Sequence, residues 1–205
     1  MPKFDYNKID SIQKDVLQEV GNIGSGHAAT ALSKLIQDKI NMEQPTAQLL
    51  RIEKISDIVG GADVIVTGIL ITLQGDVEGM MMFMMDEAST KQLTDLLFQD
   101  FDIAASDNAS LKDSAVKEVG NIIAGAYLNA LSHLLQMRIE PSIPYLAIDM
   151  AGAVLSVPAI EFSKVSNDAL IIETKFRKDQ NDVTGYFILI PTLDSYDKIL
   201  TSLGL

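Results

Sequence analysis

The sequence predicts an α/β fold of the α+β type. It is expected to form one pseudo-twofold domain from two homologous helix–strands–helix halves, with two long symmetric helices packed on a β-sheet. Three observations predict it. A helix-forming stretch is written twice, EVGNIGSGHA at Glu19 to Ala28 and EVGNIIAGAY at Glu118 to Tyr127, 99 positions apart. Further residues match at that offset, among them Ala31, Leu32, Ser33 and Leu35 with Ala130, Leu131, Ser132 and Leu134, and internal repetition of this kind overrides local readings. Each half then passes from helical periodicity to short apolar runs behind related turns, Asp76 to Gly79 (DVEG) and Asp182 to Gly185 (DVTG). Halves this short bury little surface alone, so a single domain over 1–205 is expected, its halves at about 10–98 and about 110–205.

The first helix takes Asp10 or Ser11 as its N-cap, and Ile12, Val16, Leu17, Val20, Ile23 and Ala31 recur at spacings of three and four. Strands are expected near Ala47 to Ile55, Asp63 to Leu73 and Met80 to Met85, followed by a short helix over Glu87 to Phe98. The polar, turn-rich Gln99 to Asn108 reads as the linker. Ser110 caps the second long helix, which carries Leu111, Val116, Val119 and Ile122. Strands near Leu146 to Met150, Leu170 to Lys175 and Gly185 to Ile190 and a helix over Leu193 to Leu203 complete the second half. Strand order does not follow from the pattern.

Composition removes several function classes. The 205 residues are 47% hydrophobic and 21% charged, an ordinary globular balance. A net charge of −12 with no basic stripe opposes binding to nucleic acid or to an anionic membrane and suits a partner with a basic rim. There is no cysteine, and His27 and His133 lie 106 positions apart, off the repeat, so no metal site is expected. No apolar run approaches the roughly 20 residues of a membrane helix, and the N-terminus MPKFDYNKID lacks a signal-peptide core. A cytoplasmic place is expected.

The repeated polar face carries the chemistry. Glycine in a helix interior costs about 1 kcal/mol against alanine, so Gly21, Gly24 and Gly26 read as sites of close packing. Their order, G-x-x-G-x-G inside a helix, is neither a dinucleotide fingerprint nor a P-loop. Glu19 and Asn22, like Glu118 and Asn121, stand three apart and share a helix face. Asp15 and Ser114 lie one turn earlier. The face around these pairs differs between the halves, Gln18 against Lys117 and Lys34 against His133, while Glu and Asn are kept. An amide is no general base, but it both donates to and accepts from a water and can hold it on a line of attack, as Gln does in GTPases. A carboxylate is repelled by a phosphoryl group and needs a cation on the partner. The pair suits hydrolysis of a phosphoryl group carried by another protein.

At these residues the chain resembles the CheC family of chemotaxis phosphatases, whose signature [Asp or Ser]-x-x-x-Glu-x-x-Asn is met twice, by Asp15, Glu19 and Asn22 and by Ser114, Glu118 and Asn121. CheX and the flagellar-switch proteins FliM and FliY carry similar domains. FliM-type domains lack the Glu-x-x-Asn pairs, and FliY carries extra segments for response-regulator and switch binding. The resemblance implies hydrolysis of the aspartyl phosphate of the response regulator CheY. Asn22 and Asn121 would orient the attacking water, Glu19 and Glu118 would pair with the regulator's active-site Lys, and Asp15 and Ser114 would support the helix face or touch the partner. No cofactor is expected on this chain, and Mg²⁺ would sit in the CheY active site. The resemblance also implies a second partner, the receptor deamidase CheD, meeting Ala147 to Gly152 (AIDMAG) with Asp149 as the contact residue. Two sites in one chain favour a monomer, and because the residues around the pairs differ the sequence leaves the relative activity of the two sites open. The alternative is a non-catalytic binding module, a switch scaffold or CheD adaptor that docks phosphorylated CheY.

Overall fold

A computed structural model of the chain describes residues 11–98, 109–162, 168–178 and 181–202. The order of elements is α1 (Ser11–Leu35), β1 (Asn41–Met42), β2 (Thr46–Arg51), a 3-10 turn (Ile52–Lys54), α2 (Ile55–Ile58), β3 (Ile65–Gly75), β4 (Gly79–Asp86) and α3 (Glu87–Phe98) in the first half. The second half runs α4 (Ala109–Leu135), β5 (Ile139–Pro141), β6 (Tyr145–Met150), α5 (Ala151–Phe162), β7 (Asp168–Lys178), β8 (Asn181–Pro191) and α6 (Leu193–Ser202).

All eight strands belong to one antiparallel sheet. Its backbone order is β1-β7-β8-β4-β3-β5, with β2 also on β7 and β6 also on β3. The strands that each half places before its own hairpin pair with the other half: Thr46 faces Glu173 and Arg51 faces Asp168 on one side, while Tyr145 faces Leu70 and Met150 faces Ile65 on the other. β4 and β8 join the halves at the centre, Phe83 opposite Phe187.

The residue pattern explains the layers. β4 reads GMMMFMMD and its methionines and Phe83 are all buried, which an apolar run achieves only when both sheet faces are covered. Met81, Phe83 and Met85 join α1, α3, α4 and α6 in one core cluster. Met82 and Met84 join the 3-10 turn, α2 and α5 in the other. Side chains alternate across the sheet as strand geometry demands, so the two long helices and the short α2 and α5 cover opposite faces. The β3–β4 hairpin turns through Gly75, whose φ of +106° favours glycine and where a Cβ would stand 2.6 Å from the Arg138 carbonyl oxygen.

Both long helices end alike. Gln37 and Gln136, 99 positions apart, take left-handed φ values of 53° and 54°. The next amides fold back, Asp38 N donating to Ser33 O and Met137 N to Ser132 O. This is the six-to-one closure of a helix C-terminus, with glutamine in the place usually taken by glycine.

The differences from the sequence reading are local. The strand expected to Ile55 stops at Arg51, because Ile52 and Ile55 turn inward as a 3-10 turn and α2 to fill the second cluster. Ser110 is the second residue of α4 instead of its cap, and its carbonyl accepts from Ser114 Oγ at 2.8 Å. β1, β5 and α5 were not expected. Asp10, the linker Gln99 to Asn108 and Leu203 lie outside the described residues.

Candidate functional site

α1 packs along α4, and glycines of both helices lie close against their neighbours. A Cβ on Gly24 would come within 2.3 Å of the Tyr127 ring, one on Gly120 within 2.2 Å of Ile69 Cδ1, and one on Gly21 within 3.3 Å of Ile172 and Pro45. Those three glycines are therefore packing positions. Tyr127 is 1% exposed, stacks on Phe187 with ring centroids 4.4 Å apart, and shares a hydrogen bond of 2.6 Å with Thr174. Burial pushes its phenol up to about 12, so it is a neutral wedge between the helices. The position 99 residues earlier is Ala28, also fully buried, and the residue of α1 that the Tyr127 ring meets is Gly24.

With those residues inward, Asp15, Glu19 and Asn22 fall on the outer face of α1, and Ser114, Glu118 and Asn121 on that of α4. The first set is held in place. Asn22 Nδ2 donates to Glu19 Oε2 at 3.4 Å, and Asn22 Oδ1 accepts a long bond of 3.5 Å from Gln18 Nε2. Gln18 is itself clamped to the start of β2, donating to the Pro45 carbonyl and accepting from Ala47 N at 3.1 Å. Ser25 Oγ donates to the Asn22 carbonyl at 3.0 Å. Asn22 is half-buried, whereas Asn121 is exposed. Among the described residues the Glu118 and Asn121 side chains have no hydrogen-bond partner, and Lys117 stands where Gln18 stands in the first set.

Gln18 is the residue that sequence reasoning missed. In the aligned halves it differs from Lys117, although its spacing of four from Asn22 places both on one helix face. If Asn22 orients the attacking water as the resemblance implies, replacing Gln18 with Ala is expected to lower hydrolysis several-fold in a background where Asn121 is Ala, with KM moving less than kcat. Steady-state hydrolysis of the phosphorylated partner in that background measures it. An unchanged kcat would show that the clamp does not orient Asn22.

Each pair leaves unused capacity. An Asn side chain has two N–H donors and a carbonyl with two lone pairs, so even Asn22, with one bond at each end, can still donate to and accept from a water. Glu19 and Glu118 are exposed carboxylates with free lone pairs for a cationic group. Among the described residues, no three His, Asp or Glu side chains are grouped to hold a metal ion, and no helix is long and apolar enough to cross a membrane.

Asp149 lies elsewhere. It is exposed on β6, an edge strand, opposite Val66 of β3, and its Oδ1 accepts from Met150 N at 2.7 Å. The chain then bends into α5, with Ala151 N and Gly152 N donating to the Val64 and Ala62 carbonyls. Apolar side chains around this corner are exposed, including Tyr145, Ile148, Met150 and Ile160.

Comparison with known proteins shows what the chain is similar to. The CheC-like family model matches residues 12–48 and 111–146, nearly all of the two long helices with β1, β5 and the first residues of β2 and β6. The chain is 38% identical over 203 residues to the CheY-P phosphatase CheC of Bacillus subtilis (strain 168), covering 97% of each. Its fold resembles the crystal structure of Thermotoga maritima FliY at a TM-score of 0.73 and 21% identity, over 96% of this chain and 98% of that one. It also resembles the FliM middle domain of Vibrio alginolyticus at a TM-score of 0.65 and 12% identity, over 91% and 98%.

Proposed function

The chain belongs to the CheC-like family, and on that premise we propose that it is a phosphatase acting on the aspartyl phosphate of a CheY-type response regulator, through the two Glu-x-x-Asn sites. The observation that carries the reading is the outward presentation of a Glu and an Asn from each long helix, the first pair joined by the Asn22 to Glu19 hydrogen bond. In this reading Glu19 or Glu118 pairs with the ammonium of the regulator's active-site Lys, which seats the helix over the phosphoaspartate. Asn22 or Asn121 accepts from and donates to one water and holds its oxygen in line with the acyl-phosphate bond. The water oxygen bonds to phosphorus, the bond from phosphorus to the aspartyl oxygen breaks, the aspartate leaves as a carboxylate and inorganic phosphate takes up the water's remaining atoms. Charge neutralisation on the phosphoryl oxygens is the task of the Mg²⁺ in the regulator. This chain contributes position, and a fixed water removes entropy that bulk attack must lose. Asp15 and Ser114 border the partner contact one turn before each Glu.

Decay of ³²P-labelled phospho-CheY with excess Mg²⁺, in the presence of about one-tenth as much of this protein, tests the reading. A catalyst removes the label through many turnovers. A module that only docks the phosphorylated regulator, the role suggested by the likeness to FliM, leaves decay at its intrinsic rate or slows it with occupancy, and that result would overturn the phosphatase.

CheD is the second partner in this proposal. Asp149 at the β6–α5 corner, set among exposed Ile148 and Met150, gives a charged contact inside an apolar patch, the composition of a recognition surface. Asp149→Ala is expected to weaken binding of purified CheD about tenfold or more in a calorimetric titration while leaving phosphatase activity in place. Equal affinity would move the CheD contact off this corner. Two sites within one chain need no second copy, so the proposed working form is a cytoplasmic monomer.

A further inference from the structure

Five glycines lie in the two long helices, and two of them have no packing reason. A Cβ on Gly21, Gly24 or Gly120 would press on a neighbour, whereas one on Gly26 or Gly125 would meet nothing within 4 Å. Glycine is disfavoured against alanine inside a helix, and here the fold gains no contact in return. The two positions correspond at the offset of 99, although their surroundings differ: Ser25 and His27 flank the first, Ala124 and Ala126 the second.

Their place relative to the asparagines explains the choice. Gly26 follows Asn22 by four residues and Gly125 follows Asn121 by four, so each glycine is the next residue on the same helical face. Helical side chains lean toward the N-terminus and cover the turn before their own Cα. A side chain at 26 or 125 would therefore lie over the turn that presents the asparagine. On the other flank of Asn22 stands Gln18, which is fixed to β2. The glycine leaves the C-terminal flank bare, and the helix backbone there is open to close approach.

We propose that Gly26 and Gly125 are specificity-determining positions of the two sites: each keeps a side-chain-sized gap beside its asparagine, into which the loop bearing the partner's phosphoaspartate seats. This rests on the phosphatase reading above. The gap admits the regulator at backbone distance and brings the asparagine amide to the acyl phosphate. A methyl group in it holds the two surfaces apart, as overpacking does in a core.

Gly26→Ala, Gly125→Ala and the double variant separate stability from recognition, since alanine favours the helix and the substitution adds no clash inside the chain. Two quantities are measured, the melting temperature and the affinity for regulator activated with beryllofluoride and Mg²⁺, with phosphatase KM as a third reading. The expected result is a melting temperature higher by roughly 2–4 °C for each substitution, together with binding about tenfold weaker in the double variant. Gly26→Leu with Gly125→Leu is expected to weaken it further. A raised melting temperature with unchanged affinity in both the Ala and the Leu variants would overturn the inference, and so would a lowered melting temperature in the Ala variants, which would show that the fold itself fills the gap. If the wild-type chain neither binds the activated regulator nor dephosphorylates it, the phosphatase reading falls and this inference with it. If the wild type does both and the variants match it, this inference alone falls.

Discussion

Changing both Asn22 and Asn121 to Ala is expected to return phospho-CheY to its intrinsic rate of decay, a loss of at least about a hundredfold in the rate added by this protein, on the scale of removing one preorganised polar group from a reacting centre. Each single variant keeps the other site, so the two singles apportion the activity. Asn22 is the pre-set member, with Glu19 at 3.4 Å and Gln18 behind it, whereas the Asn121 side chain has no partner among the described residues and in the proposed mechanism would be ordered only on docking. The larger loss is therefore expected from Asn22→Ala. Neither change should disturb the fold. The bonds given up are long and none is fully buried, and substitutions of that kind stay within about 0.5 kcal/mol. A thermal melt beside the ³²P assay checks this. Full activity in a folded double variant would remove the asparagines from the mechanism.

Gly24→Ala should do the reverse, lowering stability with the polar stripe untouched. The new Cβ would sit 2.3 Å from Tyr127 Cδ1 and 2.8 Å from Cε1 and Cγ. The ring has nowhere to go, since its other face stacks on Phe187 and its hydroxyl is tied to Thr174. Overpacking of this sort costs about 1–3 kcal/mol or more, and the gain in helix propensity of about 1 kcal/mol offsets only part of it. A chemical-denaturation curve with a lowered midpoint is the expected reading. Coupled with Tyr127→Phe the penalty should persist, because the clash involves ring carbons, whereas Tyr127→Ala should relieve it while opening a cavity of its own. A neutral Gly24→Ala would mean that α1 and α4 pack less closely than described.

Much of this was legible in the sequence, for reasons that differ by element. α1, α3, α4 and β4 follow from periodicity and from the repeat: α3 falls at the expected Glu87–Phe98, and β4 extends the expected run by one residue at each end. α5 was illegible because AGAVLSVPAIEF is apolar on every side, carries Pro158, and so shows no helical stripe. The end of β2 was misjudged because Ile52 and Ile55 are as apolar as strand residues, and only the second core cluster turns them into a helix. Of the site, the Glu and Asn pairs were visible through duplication. Gln18 was not, because its anchor, the Pro45 carbonyl, lies 27 residues away in sequence. In sequence Gly26 reads as a packing glycine like Gly21 and Gly24, and Gly125 is not singled out; only the absence of a neighbour in three dimensions sets the two apart.

The pairing of β2 with β7 has a consequence for the order in which the chain folds. Thr46 must wait for Glu173, which is 173 − 46 = 127 residues further along, and β3 gains its outer neighbours only from β5 and β6. When the first half leaves the ribosome, α1 has no α4 to lie on and the partner of β2 has not been made. Contacts of such long sequence separation slow folding and lengthen the time that apolar strands stay uncovered, and the all-apolar core of β4 is the segment most exposed to that delay. A chain truncated after Phe98 should accumulate as an aggregating intermediate, and rapid refolding should begin only once β8 is present to close against β4.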